Sequence, residues 1–124
     1  MNKSESLKLV EIIFRALDEK KASDIKILDI EKVTPIADYF VIASGSNENQ
    51  VQAMMDNVDE KMSRSGYEMN HLEGFHRGGW VLLDYGNVVV HIFDEESRAF
   101  YDLDRIWKDG EEVDPAQFAP AKED

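Results

Sequence analysis

The stretch Trp80-Val81-Leu82-Leu83-Asp84-Tyr85-Gly86-Asn87-Val88-Val89-Val90-His91-Ile92-Phe93 decides the fold. Two runs of β-branched, aromatic and other apolar residues flank Gly86-Asn87. A glycine first in a two-residue loop predicts a type II′ hairpin. That loop sets the register: Tyr85 faces Val88, Leu83 faces Val90 and Val81 faces Ile92. These six side chains share one wholly apolar side of the sheet, which is the expected core face. The other side pairs Asp84 with Val89, Leu82 with His91 and Trp80 with Phe93. Two readings of it stay open. Either the C-terminal helix covers it, leaving Asp84 and His91 at a wet edge, or part of it is exposed as a partner site. Tryptophan is enriched among binding hot spots, and a Trp and a Leu beside a carboxylate suit an interface core.

Upstream, Glu73 to Gly79 reads as a loop with glycines at 74, 78 and 79, after a short strand within Tyr67–Leu72. Val51, Met54, Met55, Val58 and Met62 recur at helical spacing, so the methionines are expected in the core. Asn47 and Gln50 suit the start of that helix and Gly66 its end. Tyr39-Phe40-Val41-Ile42-Ala43 is almost wholly apolar, as in a central strand covered on both faces. Pro35 breaks the connection from an earlier strand at residues 25–30. Residues 4–20 predict an amphipathic helix with Ser4 as N-cap. Downstream, Asp94-Glu95-Glu96 opens a helix striped by Phe100, Leu103 and Trp107 and ended by Gly110.

The order is α-β-β-α-β-β-β-α, an α/β fold with a mixed, partly antiparallel sheet flanked by helices. The expected domain is residues 1–107. Residues 108–124 hold six acids, two lysines, two prolines and no periodicity, and read as an acidic, disordered tail.

The chain has 124 residues, 26 of them acidic and 14 Lys or Arg, for a formal net charge of −12. The tail carries −4, so −8 belongs to residues 1–107. This charge disfavours direct nucleic-acid binding and anionic membranes and favours a basic protein partner. With no cysteine, there is no disulfide, thiol nucleophile or cysteine metal site. The first residues show neither a signal core nor a transit pattern, and no apolar run is long enough to span a bilayer. The expected compartment is the cytoplasm.

Catalytic patterns are weak. Ser44-Gly45-Ser46 at a strand-to-helix turn has the look of a phosphate cradle or a nucleotidyltransferase turn, but it lacks a P-loop lysine. Asp84 has Gly86 two residues on, where a second metal-binding acid would stand. Asp102-Leu103-Asp104 falls in a predicted helix, where residues two apart do not share a face. His71, Glu73 and His76, with His91 near, are metal-binding residue types without a zinc spacing. No Gly-x-Ser-x-Gly occurs. The expectation is no catalytic residue, metal or cofactor.

Several ordered segments resemble one family: Asp38-Tyr39-Phe40-Val41-Ile42-Ala43-Ser44-Gly45, Gln50-Val51, Glu73-Gly74, Trp80 to Gly86, Val88 to Phe93, Arg98-x-Phe100-Tyr101-Asp102-Leu103 and Trp107. The set, spanning residues 7–107, is similar to the ribosomal silencing factor, or Iojap, family. The family commonly has Asp where this chain has Asn87, and Thr-Ser where it has Ser46-Asn47; both replacements keep turn or cap chemistry. The resemblance implies a nucleotidyltransferase-like fold without catalytic acids, and no enzyme activity. It implies binding to the large ribosomal subunit at ribosomal protein L-fourteen, where the factor sterically blocks subunit joining and represses translation when nutrients are limiting. The family's Trp-Val-Leu-Leu-Asp-Tyr-Gly strand contributes to that contact, which carries over to Trp80, Leu82 and Asp84. Val89 and His91 share their face by register and join the candidate partner-binding set. The competing expectations are a nucleotidyltransferase-like enzyme and a dimeric interaction scaffold, since a second copy could cover the Trp80/Phe93 face.

Overall fold

The computed structural model describes residues 2–74, 79–101 and 109–122. Helix α1 (Lys3–Glu19) is followed by β1 (Ser23–Asp29), β2 (Tyr39–Gly45) and helix α2 (Glu48–Arg64). Then come β3 (His71–Glu73), β4 (Trp80–Asp84), β5 (Val88–Asp94), α3 (Glu95–Tyr101), β6 (Glu111–Val113) and a 3₁₀ helix (Pro115–Lys122). The predicted order holds from α1 to α3. One six-stranded sheet runs β3-β4-β5-β2-β1-β6. Only β2 and β5 pair in parallel among the described strands, and α2 lies in the connection between them. Every residue of β2 is buried, as its unbroken apolar run predicts for a central strand.

The hairpin has the predicted register, from Trp80↔Phe93 to Asp84↔Val89. Gly86 takes φ +93° while Asn87 stays at negative φ, as a type II′ turn requires. The first face of the sheet carries Val41, Ala43, Val81, Leu83, Val90 and Ile92, all buried beneath α1 and α2. The methionines of α2 lie in this core, as their spacing implies. On the second face, Leu28, Ile30, Ala37, Phe40, Ile42, Val89 and Phe93 make a smaller apolar layer, with Trp80 and Leu82 packed at its margin.

Helix ends follow local chemistry. Asn47 caps α2 by accepting the Gln50 N–H at 2.8 Å. Gly66 closes the helix: its N–H reaches the Ser63 carbonyl and the Tyr67 N–H reaches that of Met62, a Schellman pair. The N-cap of α1 is Asn2, not Ser4; its Oδ1 accepts the Glu5 N–H at 2.8 Å. The first strand starts at Ser23 and ends before Ile30, and the short third strand lies at His71–Glu73, later than its predicted place.

The tail departs most from expectation. Residues 108–124 are not a disordered appendage throughout. β6 pairs antiparallel with β1, placing Val113 opposite Ile27. Phe118 is buried in the main core. An edge strand needs only one apolar side chain facing the core, so its two glutamates at the solvent hide it from any periodicity test. The predicted helical stripe at Leu103 and Trp107, and the Asp102-Leu103-Asp104 triplet, lie outside the described residues.

Candidate functional site

The second face brings three strands together near one edge of the sheet. β4 presents Trp80, Leu82 and Asp84; β5 places Val89, His91 and Phe93 beside them. Register puts His71 next to Asp84 and Glu73 next to Leu82 on the same side. Trp80, Leu82 and Asp84 are half-buried, whereas Val89 and His91 are buried. The candidate residues therefore form two tiers, three reaching solvent and two beneath.

Trp80 is held from two sides. Its ring stacks on Phe93 with centroids 5.2 Å apart and planes at 22°. Its indole N–H donates to His91 Nδ1 at 3.2 Å. His91 meets the Phe40 ring edge-on at 4.7 Å. Because Nδ1 accepts, the ring is the neutral tautomer with its proton on Nε2. That Nε2 is buried with no hydrogen-bond partner among the described residues. An unsatisfied buried donor costs about 1–3 kcal/mol. Burial also pushes the His91 pKa down to about 4, so the ring is neutral at pH 7. His91 is thus not at a wet edge, as one of the two open readings had it.

Asp84 has a local task as well. Its Oδ1 accepts the Gly86 N–H at 2.8 Å, bracing the hairpin turn. Glu73, Gly74, Trp80 and Leu82 line a cleft of about 110 Å³. Gly74 sits at φ +75°, and a Cβ there would overlap the Trp80 carbonyl oxygen, so glycine lets the end of β3 approach β4 closely. Glu73 and Gly74 enter the site although the sequence reads them as the start of a loop. Phe40 enters through the parallel β2–β5 pairing, which no local pattern reveals.

The other candidate chemistry resolves differently. At Ser44-Gly45-Ser46 the Ser46 N–H donates to Gln50 Oε1 at 2.6 Å, so the turn engages its own helix. The Ser44 hydroxyl accepts from buried Arg98 Nη1 at 2.7 Å, and Arg98 Nη2 pairs with Asp24 at 3.3 Å. These bonds tie α3 to the end of β2. His71 and Glu73 lie 2.9 Å apart on the exposed surface. His76 lies outside the described residues. Among the described residues, no three His, Asp or Glu side chains converge as a metal site would need. No helix among them is long and apolar enough to cross a membrane.

Comparison with known proteins bears on the whole chain. Residues 3–124 match the family described as "Ribosomal silencing factor during starvation". The chain is 39% identical over 109 residues to the ribosomal silencing factor RsfS of Bacillus subtilis, covering 88% of this chain and 90% of that protein. It is 38% identical over 106 residues to RsfS of Halalkalibacterium halodurans, covering 86% of this chain and 91% of that one. A crystal structure of a Chromobacterium violaceum protein superposes with a TM-score of 0.80 at 32% identity, covering 87% and 88% of the two chains.

Proposed function

From the premise that this chain belongs to the ribosomal silencing factor family, we propose that it binds the large ribosomal subunit at ribosomal protein L-fourteen and sterically blocks subunit joining, repressing translation when nutrients are limiting. It acts by occupying a surface and not as an enzyme. It works in the cytoplasm and needs no cofactor.

The observation that carries this reading is the half-buried Trp80–Leu82 pair beside Glu73 and Asp84, on a chain of net charge −12. Two apolar anchors rimmed by carboxylates suit a basic protein surface. Trp80, Leu82 and Asp84 make the contact, with Val89 and His91 supporting it from below. The same charge keeps the remaining surface away from ribosomal RNA.

The test is reassociation of isolated subunits on sucrose gradients. Saturating wild-type protein should suppress the joined ribosome, and Trp80→Ala should not, while staying folded. Full joining in the presence of the wild-type protein would sink the proposal. A second copy of the chain could cover the same face, in which case light scattering would show a dimer that Trp80→Ala dissolves.

A further inference from the structure

His91 lies among Phe40, Val89, Phe93 and Trp80, 4% exposed. One ring nitrogen is spent on Trp80, and the other has no partner among the described residues. A leucine or phenylalanine at this position would fill the layer without an orphaned donor. Among the described residues, the one polar bond the imidazole makes is to the indole of the residue that reaches the cleft. The stack on Phe93 fixes the plane of the Trp80 ring, but a half-turn about the Cβ–Cγ bond keeps that plane and turns the indole N–H to the opposite side. The directional bond from the indole N–H to Nδ1 selects one of these two orientations.

We propose that His91 is a positioning residue for Trp80: its Nδ1 selects which way round the indole lies on Phe93, and so the shape of the cleft offered to the ribosomal partner. This rests on the docking reading above and assigns His91 a role through Trp80, without contact to the partner. Orienting Trp80 in advance spares the complex the loss of side-chain freedom on docking.

Three substitutions separate positioning from packing. In His91→Asn the amide oxygen stands near the place of Nδ1 and can accept the indole proton. In His91→Gln the polar group reaches toward the place of Nε2. In His91→Phe the ring shape stays and both nitrogens go. Large-subunit binding is read by co-sedimentation. The indole N–H resonance of Trp80 is read by NMR on the ¹⁵N-labelled chain, assigned with Trp80→Phe because the chain has only two tryptophans. His91→Phe and His91→Gln should bind about tenfold more weakly and shift the indole resonance toward its free position, the size expected for one lost hydrogen bond. His91→Asn should keep the resonance and bind within about threefold of wild type. If His91→Phe does not fold, the Asn and Gln pair decides alone, since a packing role predicts equal losses for both.

Wild-type binding by His91→Phe, with Trp80→Ala inactive, would overturn the proposal and leave the docking reading intact. Wild-type binding by Trp80→Ala would overturn the docking reading. An indole resonance unmoved in His91→Phe would overturn the positioning role whatever the ribosome does.

Discussion

The ring of Phe118 lies 5.8 Å from that of Phe14, tilted at 40°, so the tail is fastened to α1 at the margin of the main core. Arg15, next to Phe14 on α1, donates from Nη2 to the Phe118 carbonyl at 3.2 Å. With β6 paired to β1 and Phe118 in the core, residues 111–118 are part of the folded unit. Phe118→Ala removes a large side chain that is 6% exposed. It should cost about 3 kcal/mol and lower the melting temperature on the order of 10 °C. Calorimetry checks this, and an unchanged melting temperature would mean that the tail does not hold the core. Large-subunit binding should persist at low temperature, because β6 and β4 lie on opposite sides of the sheet's centre.

Asn57 of α2 closes the other helix contact. It donates from Nδ2 to the Ala16 carbonyl at 2.8 Å and to Glu19 Oε1 at 2.9 Å. Ala16 is in the last turn of α1, where carbonyls lack an intrahelical partner. Asn57→Ala leaves that carbonyl unpaired beneath α2 and should cost about 1–3 kcal/mol. Asn57→Asp should cost more, since a carboxylate cannot donate and would face Glu19. Urea unfolding of the three proteins tests the order; Asp tolerated better than Ala would contradict it.

The unequal legibility of the chain has a physical cause. The hairpin from Trp80 to Phe93 was readable because a two-residue turn fixes register, and register fixes faces. The strand Tyr39–Gly45 and helix Glu48–Arg64 were readable because burial on both faces, or on one stripe, leaves a strong pattern. β6 was not, because an edge strand of Glu-Glu-Val carries one inward residue and two solvated charges. In the candidate site, Trp80, Leu82 and Asp84 followed from alternation along β4. The burial of His91 did not, since it depends on Phe40, brought alongside by a parallel pairing between strands far apart in the sequence.

Acid should weaken the fold through His91. Its pKa falls from 6.5 to about 4 because burial penalises the imidazolium. Above pH 6.5 the ring is neutral in both the native and unfolded chain, and the full stability is present. Between pH 6.5 and 4 the unfolded chain takes up the proton and the native chain does not, so stability falls as the pH falls. The gap corresponds to about 3 kcal/mol at most. His91→Phe has no such proton. Its urea midpoint should decline less than that of wild type from pH 6.5 to 4. Carboxylates such as Glu19, whose pKa is lowered by the Asn57 hydrogen bond, contribute to both proteins and cancel in the difference. Parallel declines would show that His91 titrates normally.

Gly74 and Gly66 offer a matched pair for testing the cleft. Both have left-handed backbone, with φ of +75° and +91°. An alanine at either position pays about 1–2 kcal/mol for that conformation. At Gly66 a Cβ meets nothing within 4 Å, so the backbone cost is all there is. At Gly74 the Cβ overlaps the Trp80 carbonyl oxygen, and either β3 or the start of β4 must move. Gly74→Ala should therefore destabilise more than Gly66→Ala. It should also weaken large-subunit binding at temperatures where both variants are fully folded, since the displaced backbone carries Trp80 with it. Gly66→Ala should bind as wild type does. If the two variants lose stability equally and both bind normally, the close approach of β3 to β4 does not shape the cleft, and the partner-binding surface lies elsewhere on the molecule.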